Sequence, residues 1–155
     1  MKKLPYREGS WFAVPLRTGG YALGVVGRMA PRGRIILAYL FGTKYTEIPE
    51  AATVKTLQPS HAIKRLRVGD LGLVNGEWPV FGESEGWRRS DWPMPPFVRR
   101  DDLSKRAWRV SYSDSDPSKL IAEEVVPFHV TGLEEADLYG YGAVEQLLSK
   151  ILAES

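Results

Sequence analysis

Between Gly76 and Phe97 the chain reads GEWPVFGESEGWRRSDWPMPPF, and no regular element accommodates it. Pro79, Pro93, Pro95 and Pro96 each lack an amide donor and fix their backbone angle. A helix would break there, and a central strand would lose ladder bonds. Trp78, Trp87 and Trp92 bring more apolar surface than a solvated linker tolerates. The segment is therefore expected to be an ordered, irregular loop pinned by its indoles. Ordered loops on a scaffold are where binding surfaces usually sit.

The flanking sequence supplies that scaffold. Trp11 to Leu16 and Tyr21 to Val26 are short apolar runs joined across Gly19-Gly20, a hairpin signal. Residues 27–34 read as a polar turn. Ile35 to Phe41 is apolar on both alternating faces, which predicts a central strand buried on two sides. Glu47 to Leu57 is ambiguous, because Pro49 suits a first helical turn while Thr53 and Val54 favour a strand. Ser60 to Leu66 fits a single turn of helix. Leu71 to Val74 and Trp78 to Phe81 flank Asn75-Gly76, which predicts a second hairpin. Ala107 to Ser113 alternates, residues 114–117 make a turn, and Leu120 to Val126 reads as the partner strand. Val144, Leu147, Leu148 and Ile151 form the apolar stripe of a C-terminal helix over about 143–153. These elements predict one mainly β (α+β) domain over 1–155. It would be a twisted antiparallel sheet or partly open small barrel with the C-terminal helix packed against it.

With 155 residues the chain buries enough surface to fold without a metal or disulfide. It contains no cysteine, which excludes a disulfide scaffold, a thiolate zinc site and a cysteine nucleophile. The longest apolar run is seven residues and the start has no apolar leader, so neither a membrane span nor a signal peptide is expected. The cytoplasm is the expected compartment. Charge is unevenly spread. Residues 1–109 hold 19 Lys and Arg against 10 Asp and Glu, a net of +9, while residues 110–155 carry a net of −7. Folding is expected to mix these charges on one surface; if they stay separated, the chain has a basic and an acidic face, each steering partners of opposite sign.

No pattern in the chain specifies a reaction. His61 and His129 lie far apart in sequence, and Glu123 and Glu124 alternate across a strand, so no metal-ligand spacing appears. There is no G-x-S-x-G elbow, no phosphate loop and no dinucleotide fingerprint. Glu83 and Glu85 read as loop acids between Gly82 and Gly86, and Gly140-Tyr141-Gly142 reads as a kink before the helix. No enzymatic role and no cofactor are expected. Residues 86–109 combine seven basic groups, three acids and three tryptophans, which admits a nucleic-acid-binding β module as the alternative function. Trp, Tyr and Arg together are equally the composition of protein–protein hot spots.

Two stretches, REGSWFAVPLRTGGYALGVVGR and VGDLGLVNGEWPVFGESEGWRRSDWPMPPF, together with the closing LYGYGAVEQLLSKIL, resemble the immunity protein 26 family of bacterial polymorphic toxin systems. The resemblance implies a cytoplasmic antidote that binds a cognate protein toxin and blocks it by stoichiometric occlusion. It carries over no catalytic residue. The positions matching the family motif, Gly69, Asp70, Trp78, Trp92, Pro93, Gly140, Tyr141 and Gly142, are expected to build the fold, because contact residues must vary with the toxin. The residues expected to touch the partner are Trp87, Arg88, Arg89 and Asp91, with Arg99 and Arg100 as rim charges. A second candidate surface is acidic: Glu134, Glu135 and Asp137. On this reading, replacing Arg88 and Arg89 by glutamate weakens capture and leaves the melting temperature nearly unchanged.

Overall fold

The structure is a computed structural model and describes residues 3–153. Its strands are Ser10–Pro15 (β1), Tyr21–Met29 (β2), Ile35–Phe41 (β3), Ala62–Gly69 (β4), Val80–Glu83 (β5), Phe97–Asp101 (β6), Arg106–Ser113 (β7), Asp116–Val126 (β8), Glu134–Glu135 (β9) and Leu138–Tyr139 (β10). The helices are the single turn Leu71–Val74 (α1) and Tyr141–Ala153 (α2). Two sheets form, neither closed on itself. One has six strands in the order β10-β4-β3-β2-β1-β5, the other four in the order β8-β7-β6-β9.

The six-stranded sheet is the middle layer. In β3, Ile36, Ala38 and Leu40 join the cluster that includes Val144 and Leu148 of α2. Leu37, Tyr39 and Phe41 join the opposite cluster, with Phe97 and Val110 of the four-stranded sheet. The two-sided apolar run is thus sandwiched, as its pattern predicts. Gly19-Gly20 closes the β1–β2 hairpin, where the Leu16 amide donates to the Gly20 carbonyl at 2.9 Å.

The fold is mainly β with a C-terminal helix, as expected, its 42% strand content shared between two open sheets. Three details are corrected. The pairing is not wholly antiparallel. Two pairings are parallel, β10 with β4 and β9 with β6. The short segment carrying β9 and β10 therefore stitches one sheet to the other. Arg67 sits at that seam, donating to the Pro117 and Ala136 carbonyls at 2.8 Å each and lying 3.8 Å over the Tyr112 ring.

The second correction is Asn75-Gly76, which ends a helix instead of closing a hairpin. The Asn75 amide donates to the Leu71 carbonyl, and the Asn75 side chain accepts from the Glu77 amide at 2.9 Å. Gly76 takes φ +83°, the left-handed conformation that follows a helix end. The same dipeptide serves both turns because both require positive φ. What decides is that Gly72 and Leu73 are buried on one side of a helical turn while Leu71 and Val74 face outward.

The third is Ser60 to Leu66, expected as a turn of helix but strand from Ala62 onward, while the open stretch Glu47 to Leu57 resolves in part as helix. Residues 51–56 form a 3-10 helix, and residues 59–61 form another before β4 begins at Ala62.

Candidate functional site

The Trp/Pro segment is ordered because its indoles have partners. Trp78 stacks on Phe12 with ring centres 5.4 Å apart and planes 8° from parallel. Its Nε1 donates to the buried Glu145 carboxylate on α2 at 3.0 Å. Trp92 meets Trp11, Tyr39 and Phe41 edge-on in the core between the sheets. The Tyr39 hydroxyl donates to the Pro93 carbonyl at 2.6 Å. Burial pushes the proton affinity of that hydroxyl up, which keeps it a donor. Trp87 stacks on Trp92 at 5.3 Å. The same indole packs on Gly9, whose φ of +87° and whose 3.1 Å clearance from the ring to an added Cβ both favour glycine there.

These contacts hold open a groove of about 510 Å³ between the loop 83–92 and the 3-10 helix 51–56. Trp11, Val54, Leu57 and Trp92 make its apolar side, while Lys55, Glu85, Arg88 and Asp91 supply charge. Glu83 also lines it but is engaged, accepting from the Ser10 hydroxyl at 2.8 Å and from Arg7 at 3.4 Å.

The predicted contact residues separate into two kinds. Trp87, Arg88 and Asp91 do line the groove. Arg88 and Asp91 make only a long, exposed pair at 3.8 Å, so both remain available. Arg89 turns away. It donates to Glu8 at 2.7 Å, to the Asp114 carbonyl at 2.7 Å, and pairs with the Asp114 carboxylate at 3.2 Å. Asp114 also accepts from the buried Arg28 at 2.9 Å. Arg89 is therefore a fastening between the loop and the β7–β8 turn, and its replacement cannot leave stability untouched. Arg99 and Arg100 alternate on β6 and point to opposite faces. Arg99 forms a two-pronged pair with Glu123 at 3.1 Å and lies 4.7 Å over the Trp108 ring. Arg100 binds the Phe128 and Val130 carbonyls and pairs with Glu135. Neither lines the groove.

The acidic candidate surface is also partly consumed. Glu134 accepts from the Arg65 amide at 2.7 Å and from Lys64 at 3.4 Å, which anchors β9 beside β4. Glu135 is held by Arg100, and Asp137 is exposed. The histidines have local partners. His61 accepts from the Gln58 amide at 3.1 Å, and His129 packs against Phe128. Among the described residues no three His, Asp or Glu side chains converge as metal ligands.

Sequence reasoning missed one wall of the groove, Ala51 to Leu57, and the buried Arg28. The wall comes from the ambiguous stretch, whose mixed propensities hid it. Arg28 follows Gly27 at an irregularity in the β2–β3 register, which local alternation does not reveal. Of the motif positions, Asp70 is buried where its carboxylate accepts from the Tyr6 hydroxyl at 2.7 Å and the Arg34 amide at 2.8 Å.

Residues 7–109 match the family described as Immunity protein 26. The matched part carries β1 to β6 and the first half of β7, and the closing stretch 138–152 lies outside it. No curated protein and no solved structure matches the chain. The match covers well over half of the 155 residues, and the chain belongs to the immunity protein 26 family.

Proposed function

We propose that this protein is a cytoplasmic antidote that binds a cognate protein toxin and neutralises it by stoichiometric occlusion, without chemistry of its own. Membership of the immunity family carries the reading. The groove supports it. An ordered surface needs little reorganisation on binding, which lowers the entropic cost of association. Apolar indole edges with exposed charges at their rim match the make-up of protein–protein hot spots. We assign the contact to Trp87, Arg88 and Asp91, joined by Lys55 and Glu85.

No observation favours the nucleic-acid alternative. Arg89, Arg99, Arg100 and Arg109 each face a carboxylate on another strand or loop within 4 Å, so four of the seven basic groups in 86–109 are already paired. Trp87 and Trp92 stack on each other, which leaves no free pair of ring faces for bases.

Co-expression with a toxic domain found encoded next to the gene for this chain tests the reading. The wild-type chain is expected to restore growth and to co-purify with that domain. Exchanging the charges of Arg88 and Asp91 is expected to weaken capture with little effect on melting. Growth arrest despite abundant wild-type antidote would refute neutralisation. Full capture by the charge-exchanged variant would move the contact elsewhere.

A further inference from the structure

We propose that β8 takes up an extended strand of the partner protein by edge addition, and that the strand it accepts carries basic side chains. This rests on the neutralisation reading and names a second contact for the same partner.

The edges of the two sheets are not treated alike. Among the described residues, β9 and β10 are two residues long. β5 has four residues, and Ala51 of the 3-10 helix packs over its Gly82. β8 is eleven residues long, pairs only with β7, and is exposed at every position from 118 to 125. Native folds usually blunt a long free edge, because its unpaired N–H and C=O groups template another strand.

Two irregularities are present, one at Ile121 and one over residues 117–119 with Pro117, so the first half of β8 is blunted. Beyond them, residues 122–126 pair one-to-one with residues 107–111, leaving a regular five-residue stretch with its outer side open. Main-chain bonds along such an edge supply affinity, and side chains choose the partner. Glu123 and Glu124 stand on alternate faces; Glu123 is paired with Arg99 at 3.1 Å and Glu124 with Arg109 at 3.5 Å, but Glu124 stays 64% exposed and able to accept from a further cation, and Val125 follows at 76% exposure. Lys or Arg opposite the glutamates and an aliphatic residue opposite Val125 complement this edge. The net charge of −7 over residues 110–155 favours the approach of a basic segment.

A second copy of this chain fits poorly. Antiparallel self-pairing centred between Glu123 and Glu124 sets glutamate against glutamate. Pairings that bring Lys119 against Glu123 or Glu124 are centred on Ile121, where the ladder is interrupted. The edge is also connected to the groove. Asp114, in the turn before β8, is held by Arg28 and by Arg89 of the Trp loop.

Hydrogen exchange read by mass spectrometry on the full chain, alone and with the toxic domain whose growth arrest it relieves, tests the proposal. Amides of 122–126 are expected to slow by about tenfold or more in the complex. Glu124→Lys is expected to weaken binding by about tenfold while melting stays near wild type. A complex that leaves β8 exchange unchanged, with Glu124→Lys binding normally, overturns edge addition and leaves neutralisation standing. A dimer of this chain that protects β8 also overturns it. Failure to form any complex refutes both readings.

Discussion

The Trp/Pro loop and strand β8 reverse the roles their residues suggest. The loop has the composition of a binding surface, yet Trp78 and Trp92 are buried and Arg89 is fastened on both sides. Strand β8 reads as an ordinary partner strand, yet it leaves eight consecutive residues, 118–125, exposed. Residue type alone does not say where a side chain's interactions are used. A tryptophan is a large apolar body before it is a contact, and a fold this size needs such bodies to separate and join its layers. Availability for a partner is what remains after those internal contacts are made.

The largest effects should fall on the loop's structural side. Trp78→Ala removes the stack on Phe12 and one of the two donors to the buried Glu145 carboxylate, leaving it the longer contact with Arg17 at 3.3 Å. It is expected to destabilise by roughly 4 kcal/mol, a fall of about 10 °C or more in melting temperature. A loss as small as that of a surface substitution would break the contrast, since the indole would then be free to serve a partner.

Next comes the separation of two neighbouring arginines. Arg89→Ala should cost about 1–2 kcal/mol through lost bonds to Glu8 and Asp114. Arg88→Glu should cost no more than about 0.5 kcal/mol. Chemical denaturation of the two variants checks this directly. Equal costs would mean that the exposed pair with Asp91 matters more than its geometry shows.

The junction at Asp70 sharpens the comparison through pH. Burial and the neighbouring Asp70 carboxylate push the Tyr6 hydroxyl well above the ordinary tyrosine range. Unfolded tyrosine loses its proton near pH 10, while folded Tyr6 keeps it. The stability this proton supports is complete below about pH 10 and declines as pH rises past it toward the folded value. Tyr6→Phe should therefore show a shallower alkaline decline in a denaturation series. An unchanged slope would place the alkaline loss at another group.

The smallest effect belongs to β8. Val125→Lys should change stability by no more than about 0.5 kcal/mol, because the side chain is 76% exposed. A clear loss would show that the edge is already covered by internal packing.

Much of this architecture was legible in the residues. The two-sided run Ile35–Phe41, the Gly-Gly hairpin, the alternating β7 and the stripe of α2 are all read from period and turn chemistry. The division into two sheets was not, because it depends on parallel pairings of only two residues each, made by a segment distant in sequence. Asn75-Gly76 misled because positive φ serves a helix end as well as a hairpin. Half of the groove was visible, through Trp87, Arg88 and Asp91. The opposite wall was hidden because Ala51 to Leu57 acquires its place from packing on β5, which local propensity does not encode. The fixed roles of Arg89, Arg99 and Arg100 were hidden for a related reason. Their carboxylate partners lie on other strands and turns.

The most direct test of neutralisation by docking is a titration of the toxic domain's activity with this chain, followed by intact-mass measurement and recovery of the toxin. Occlusion predicts a sharp end point at one equivalent, an unchanged toxin mass, and activity restored once the antidote is denatured away. Inactivation by a small fraction of an equivalent, or a toxin left altered in mass and permanently dead, would contradict it.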